Sequence, residues 1–232
     1  MPEDEHRPAA RRSRREERKQ ETRNELVAAA AKVFAHRGFH GASIEQIAQE
    51  AGYSTGAVYW HFKGKDDLFL AVYEAQAAAR VRDIEAFQER AEGDLPMRAR
   101  AYADQFMARL RREPEFMILT IEFLVHAWRN PPLREAFGHR IAWGRLAAAR
   151  ILEEETRRTG YELPMPAQDL ATVLRELGVG LGLAKLADPD AIPDRLFGDF
   201  VERLFELQRA TQPDPEQASP DRRPPRDPAG RH

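Results

Sequence analysis

Apolar residues recur at intervals of three and four along most of the chain, and no stretch alternates β-branched with polar residues as a strand would. The pattern predicts an all-α protein of roughly nine helices. Leu26, Ala30, Val33 and Phe34 share one face of a first helix that ends at Gly38, where a left-handed cap needs no Cβ. Ser43, with Gln46 three residues on, forms a capping box that opens a second helix with Ile44, Ile47, Ala48 and Ala51 inward and Gly52 as its stop. Ser54 or Thr55 caps a short third helix through Phe62. Lys63-Gly64-Lys65 then leads into a long helix from about Asp66, with Leu68, Phe69, Val72 and Tyr73 inward. The later helices, several with proline at or near the start, are expected at about Pro96–Arg112, Pro114–Arg129, Leu133–Thr159, Pro166–Leu186 and Ile192–Arg209.

The two ends lack this pattern. Residues 1–20 have almost nothing to bury and include the run Arg11-Arg12-Ser13-Arg14-Arg15-Glu16-Glu17-Arg18-Lys19, which reads as a disordered basic and mixed-sign arm. Residues 211–232 hold 6 of the 16 prolines and no aliphatic larger than alanine, and read as a disordered Pro/Arg-rich tail. The net charge of −2 conceals an asymmetry: Arg11 to Lys65 carries 11 Lys and Arg against 6 Asp and Glu, a local +5, which leaves −7 outside it. A basic segment on an acidic chain fits a small DNA-reading module joined to a larger domain with another task. There is no cysteine, so disulfides, thiolate metal sites and a cysteine nucleophile are excluded. No apolar run approaches the roughly 18 residues a membrane span needs, and the first 25 residues do not resemble a signal peptide. A cytoplasmic protein without a membrane partner is expected.

Two short helices joined through Gly52-Tyr53 after a longer one have the shape of a helix-turn-helix. A small bundle with no DNA to bind would share that geometry, so surface chemistry has to separate the two. Val58 and Phe62 repeat at core spacing, which leaves Thr55, Gly56, Ala57, Tyr59, Trp60 and His61 outward or sideways. Adjacent exposed aromatics make a poor solvent face. They suit DNA: small residues let a helix N-terminus approach the major groove, its free N–H groups meet phosphate, and Tyr59 and His61 add side-chain contacts.

Gly38-Phe39, Ser43-Ile44-Glu45-Gln46-Ile47-Ala48 and Ala51-Gly52-Tyr53-Ser54-Thr55-Gly56-Ala57-Val58-Tyr59-Trp60-His61-Phe62-Lys63-Gly64-Lys65-Asp66-Asp67-Leu68 resemble, without gaps, the DNA-binding domain of the TetR family of bacterial transcriptional regulators. Tyr53 stands where the family has an aliphatic residue, and Ala57 where a hydroxyl residue is common; both bear on operator sequence. The resemblance implies a helix-turn-helix domain over 21–80, with the motif at about 43–62, and an effector-binding and dimerisation domain over 81–210. It implies a homodimeric repressor, no enzyme and no cofactor, released from a palindromic double-stranded DNA operator by a small molecule. On the family pattern Ser43, Ser54, Thr55, Gly56, Ala57, Tyr59, Trp60, His61 and Lys65 meet DNA, Tyr59 and Lys65 chiefly on phosphate.

Phe106, Met107, Phe123, Trp128 and Trp143 concentrate large apolar side chains in the middle helices, with Thr120 and His126 as polar neighbours. Residue by residue they read as ordinary core, yet some are expected to line a pocket for a mainly apolar effector. Gly178, Gly180 and Gly182 interrupt an apolar helix at about 1 kcal/mol each, which implies close approach of another backbone. With no strand before them and no closing glycine, they do not form a nucleotide loop. Leu174, Gly178, Gly182, Phe200 and Leu204 are expected at the dimer interface, as the resemblance implies for the last two helices. His36 and His40 are four apart, but Gly38 breaks the helix between them, so no metal site is expected. The alternative is a helical ligand-binding or enzymatic protein with a merely structural N-terminal module.

Overall fold

The computed structural model describes residues 7–90 and 92–211, with side chains over 15–90 and 92–208. Among these residues it is all-helical: α1 Arg7–Gly41, α2 Ile44–Ala51, α3 Thr55–His61, α4 Lys65–Arg90, α5 Leu95–Arg112, α6 Glu115–Trp128, α7 Pro131–Thr159, α8 Ala167–Ala187 and α9 Leu196–Thr211. The expected disorder of residues 1–6 and 212–232 lies outside the described residues.

Local chemistry explains most of the boundaries. The Ser43 capping box is present, with the serine side chain accepting from the Gln46 N–H at 3.3 Å and the Gln46 side chain accepting from the Ser43 N–H at 3.0 Å. Gly52 closes α2 in the left-handed region. Asp94 and Asn130 cap α5 and α7 through their side chains, followed by proline in the first turn. The arm departs from expectation, because α1 is helical from Arg7. Arginine, glutamate and alanine are strong helix formers, and extending a helix already nucleated by the folded domain needs no nucleus of its own.

Packing crosses the border expected at residues 80–81. One core gathers Leu26, Phe34, Ile47, Val58 and Phe69 of α1–α4 with Leu119, Phe123 and Ala127 of α6 and Leu133 and Phe137 of α7. Phe69 and Phe123 stack with ring centroids 3.8 Å apart. A second core joins α5, α8 and α9 through Ala103, Met107, Leu170, Phe197, Val201 and Phe205. Helix α6 therefore belongs by packing to the N-terminal bundle.

Its tie to α1 is also polar. Gly38 breaks α1 at φ 69°, and the freed N–H of Phe39 donates to Glu122 Oε2 on α6 at 2.7 Å. A Cβ on residue 38 would lie 2.8 Å from that same oxygen. Glycine is thus required both for its backbone angle and for the space the carboxylate fills.

Candidate nucleic-acid interface

The third helix is set by two opposed demands. Val58 is fully buried and Phe62 nearly so, pinning one face to the core. Ser54 caps the other end, its hydroxyl accepting from the Ala57 N–H at 3.2 Å. What remains outside is Ser54, Thr55, Gly56, Tyr59 and Trp60, with Ala57 half-buried at the edge. Tyr59 is 57% and Trp60 63% exposed. An added Cβ on Gly56 would meet nothing closer than Ser54 Oγ at 3.7 Å, so this end of α3 presents a low, open surface. Ser43 is half-buried and engaged as the cap of α2.

Two α1 cations outside the helix-turn-helix motif flank this surface. Lys19 Nζ lies 4.8 Å from the centroid of the Trp60 ring, and the Arg23 guanidinium 5.1 Å from that of Phe62. Lys19 closes the arm's mixed-charge run and Arg23 lies just beyond it, and that pattern carried no signal of which base would face α3. His61 sits below them, half-buried, its ring 4.6 Å from Trp60 and its Nδ1 sealed without a partner. Burial, then the charges of Lys19 and Arg23, hold its pKa below the ordinary 6.5. The histidine beside the outer face is therefore neutral near pH 7.

Lys65, matched to a phosphate-contacting position, is engaged within the domain. Its ammonium donates to the Ala42 carbonyl at 3.0 Å and lies 4.7 Å over the Phe39 ring, so it ties the start of α4 to the loop before α2. Tyr53, where an aliphatic residue was expected, donates its hydroxyl to Glu25 on α1 and braces the turn. These two lie with Lys32 and Glu50 beside an open cavity of about 560 Å³ on the outer side of α1 and α2.

The expected effector residues do not converge on one cavity. Phe123 is sealed in the first core, Met107 in the second, and Phe106 packs against Phe197. Thr120 donates its hydroxyl to the Phe116 carbonyl of its own helix at 2.7 Å. His126 meets Asp66 at 3.1 Å and the Phe39 ring at 4.8 Å, inside the α1–α4–α6 junction. Trp128 is 65% exposed beneath Arg134, and Trp143 is exposed on α7. These side chains divide between two cores and the surface, a division that spacing along one helix cannot reveal.

The glycine face packs within the chain itself. A Cβ on Gly178 would press on Phe106 and Phe197, and one on Gly182 would collide with Leu110, so these glycines admit side chains of the chain's own α5 and α9. Leu174 and Leu204 pack on the second core, while Phe200 is exposed. The outward large apolar positions of the last two helices are Val173, Leu183, Leu186, Leu196, Phe200 and Leu207.

Residues 26–72 match the family model described as bacterial regulatory proteins, tetR family. Over 55 residues the chain is 44% identical to the HTH-type transcriptional regulator AcrR of Shigella flexneri, covering 24% of this chain and 26% of that protein. Over 160 residues it is 25% identical to the uncharacterized HTH-type transcriptional regulator YfiR of Bacillus subtilis (strain 168), covering 68% of this chain and 76% of the relative. The chain thus spans about a quarter of the length of curated relatives such as AcrR. A protein described as a TetR-family transcriptional regulator from Mesorhizobium loti superimposes with a TM-score of 0.65 at 21% identity, over 83% of this chain and 97% of that one, a likeness of fold.

Proposed function

We propose that the chain, whose residues 26–72 match the TetR family model, is a homodimeric, DNA-binding transcriptional repressor that a small, mainly apolar effector releases from a palindromic operator. The observation that carries this reading is the outer face of α3: Tyr59 and Trp60 stand exposed beside a small-residue helix N-terminus, with Lys19 and Arg23 alongside. The N–H groups of Thr55 and Gly56 and the Tyr59 hydroxyl suit phosphate, while Thr55 and Trp60 suit base edges and methyl groups. Lys19 and Arg23 supply the charge that Lys65, engaged on Ala42, does not.

Release follows from the α6 junction. Glu122, Phe123 and His126 hold the end of α1 and the start of α4, so an effector that displaces α6 withdraws the cap on Phe39 and retilts α3 against its partner copy. A gel shift with the DNA flanking the chain's own gene tests the reading. A discrete complex that weakens steeply with salt supports it, and equal, weak retention of every sequence refutes it.

A further inference from the structure

Arg80 lies midway along α4, half-buried, with its guanidinium 4.1 Å from the centroid of the Phe116 ring. Phe116 in turn stacks on Tyr73, with centroids 5.6 Å apart at 25°. A guanidinium over an aromatic ring still carries five N–H donors that the ring does not satisfy. Among the described residues those donors have no acceptor, and no carboxylate pairs with Arg80.

The acids nearby are already taken. Asp83, one turn along α4, pairs with Arg109 of α5 at 2.7 Å, and Arg109 also reaches Glu113 at 3.7 Å. Arg175 of α8 pairs with Glu176, which Arg145 approaches at 3.9 Å. Burial is the main influence holding the Arg80 pKa below its ordinary value, and Arg109 and Arg175 add to it as like charges against the opposing pull of Tyr73 and Tyr102. Burial pushes the Tyr102 hydroxyl up to about 12, so it stays a neutral donor beside the cation. The cluster is one negative charge short, and a half-buried cation without a counter-ion is costly in proportion to its desolvation.

The rim can still be reached. The sealed, unpartnered side-chain atoms among the described residues are His61 Nδ1, Arg98 Nε, Asp104 Oδ1 and Arg140 Nε, with none from Arg80. Helix α4 leans on α1 and α7 and touches α5 sparingly. Arg80, Ile84 and Phe87 share one face of α4, and Phe87 meets Tyr102 of α5 at a centroid distance of 6.3 Å. A cationic head therefore adjoins a half-buried apolar strip.

We propose that Arg80 anchors an anion-binding site between α4, α5 and α8, and that the ligand is an amphipathic organic anion whose oxyanion head takes the guanidinium rim and the Tyr102 hydroxyl while its apolar part lies along Ile84 and Phe87. The site names the chemical class of the effector and rests on the reading that the larger domain binds one.

Isothermal titration of the full chain with dodecanoate, dodecyl phosphate and dodecanol, each below its aggregating concentration, tests this. At least one anion binds about ten- to a hundredfold more tightly than the alcohol, the range of a charge-assisted hydrogen bond, and which anion does so separates a carboxylate from a phosphate head. Arg80→Met abolishes that preference without lowering the melting temperature, because it removes an unpaired charge and keeps the packing on Phe116. If Arg80→Met does not fold, Arg80→Lys decides: it keeps the charge but loses the fork, and so loses part of the preference. Equal affinity for all three probes, no binding of either anion, or a preference that survives these substitutions overturns the site. Gel shifts of the ligand-free chain are scored separately. Specific DNA binding without an Arg80-dependent preference sinks the site alone, and the preference without specific DNA binding sinks the regulator reading alone.

Discussion

Trp60 turns most of its ring to solvent while the next core residue, Phe62, is sealed two positions on. A side chain so exposed contributes little to folding, so its value has to lie in what it touches. Trp60→Ala should leave the melting temperature within the effect of a lost surface cation–π contact with Lys19, under about 1 kcal/mol. The same change should weaken operator binding by about tenfold or more, on the scale of a truncated interface aromatic. Thermal melts and fluorescence anisotropy on one variant read both. Lys65→Met has the opposite signature: about 1 kcal/mol of stability lost with the Ala42 hydrogen bond, and an unchanged salt slope. A slope smaller by about one unit per subunit would return Lys65 to the DNA backbone. His61 adds a pH dependence. Its folded pKa lies below 6.5, so the unfolded chain binds the proton more tightly. The neutral form's contribution is complete above 6.5 and declines as pH falls from there through the folded pKa. An NMR titration midpoint at or above 6.5 for His61 would contradict this.

Between elements, the decisive contact is the α6 carboxylate on the broken end of α1. Glu122→Ala leaves the Phe39 N–H without its acceptor and should cost about 1–3 kcal/mol in chemical unfolding, whereas a surface acid would cost almost nothing. Nothing in the sequence pointed to Glu122, because its partner lies 83 residues away and a glutamate in a helix looks like any solvated one. The boundaries around Ser43, Gln46, Gly52 and Ser54 were legible because their bonds close within a few residues. Helix α8 shows where periodicity runs out. Apolar side chains flank both faces of Gly178-x-Gly180-x-Gly182, so the sequence shows close approach without showing whose side chains approach, and they are the chain's own Phe106, Leu110 and Phe197. The arm misled in the other direction, since polar composition near a terminus reads as disorder although the alanine, arginine, glutamate, lysine and glutamine that dominate residues 9–20 favour a helix.

At the scale of the whole molecule, the proposed dimer would use the outward apolar positions of α8 and α9. Val173 and Leu183 on α8 and Leu196, Phe200 and Leu207 on α9 are exposed on the described chain. Phe200→Glu should therefore yield folded monomers in sedimentation velocity, since placing a carboxylate in a subunit contact is costly while an exposed site tolerates it. A dimer of unchanged strength would move the contact elsewhere. In the proposed reading dimerisation matters because two α3 faces would engage half-sites together, about one helical turn or about 34 Å apart. The most direct test is a hydroxyl-radical footprint of the full chain on the DNA flanking its own gene, run beside Trp60→Ala. Two symmetric protected half-sites that the substitution erases are the expected result. No protection, a single unsymmetric patch, or a footprint unchanged by Trp60→Ala would contradict reading by α3.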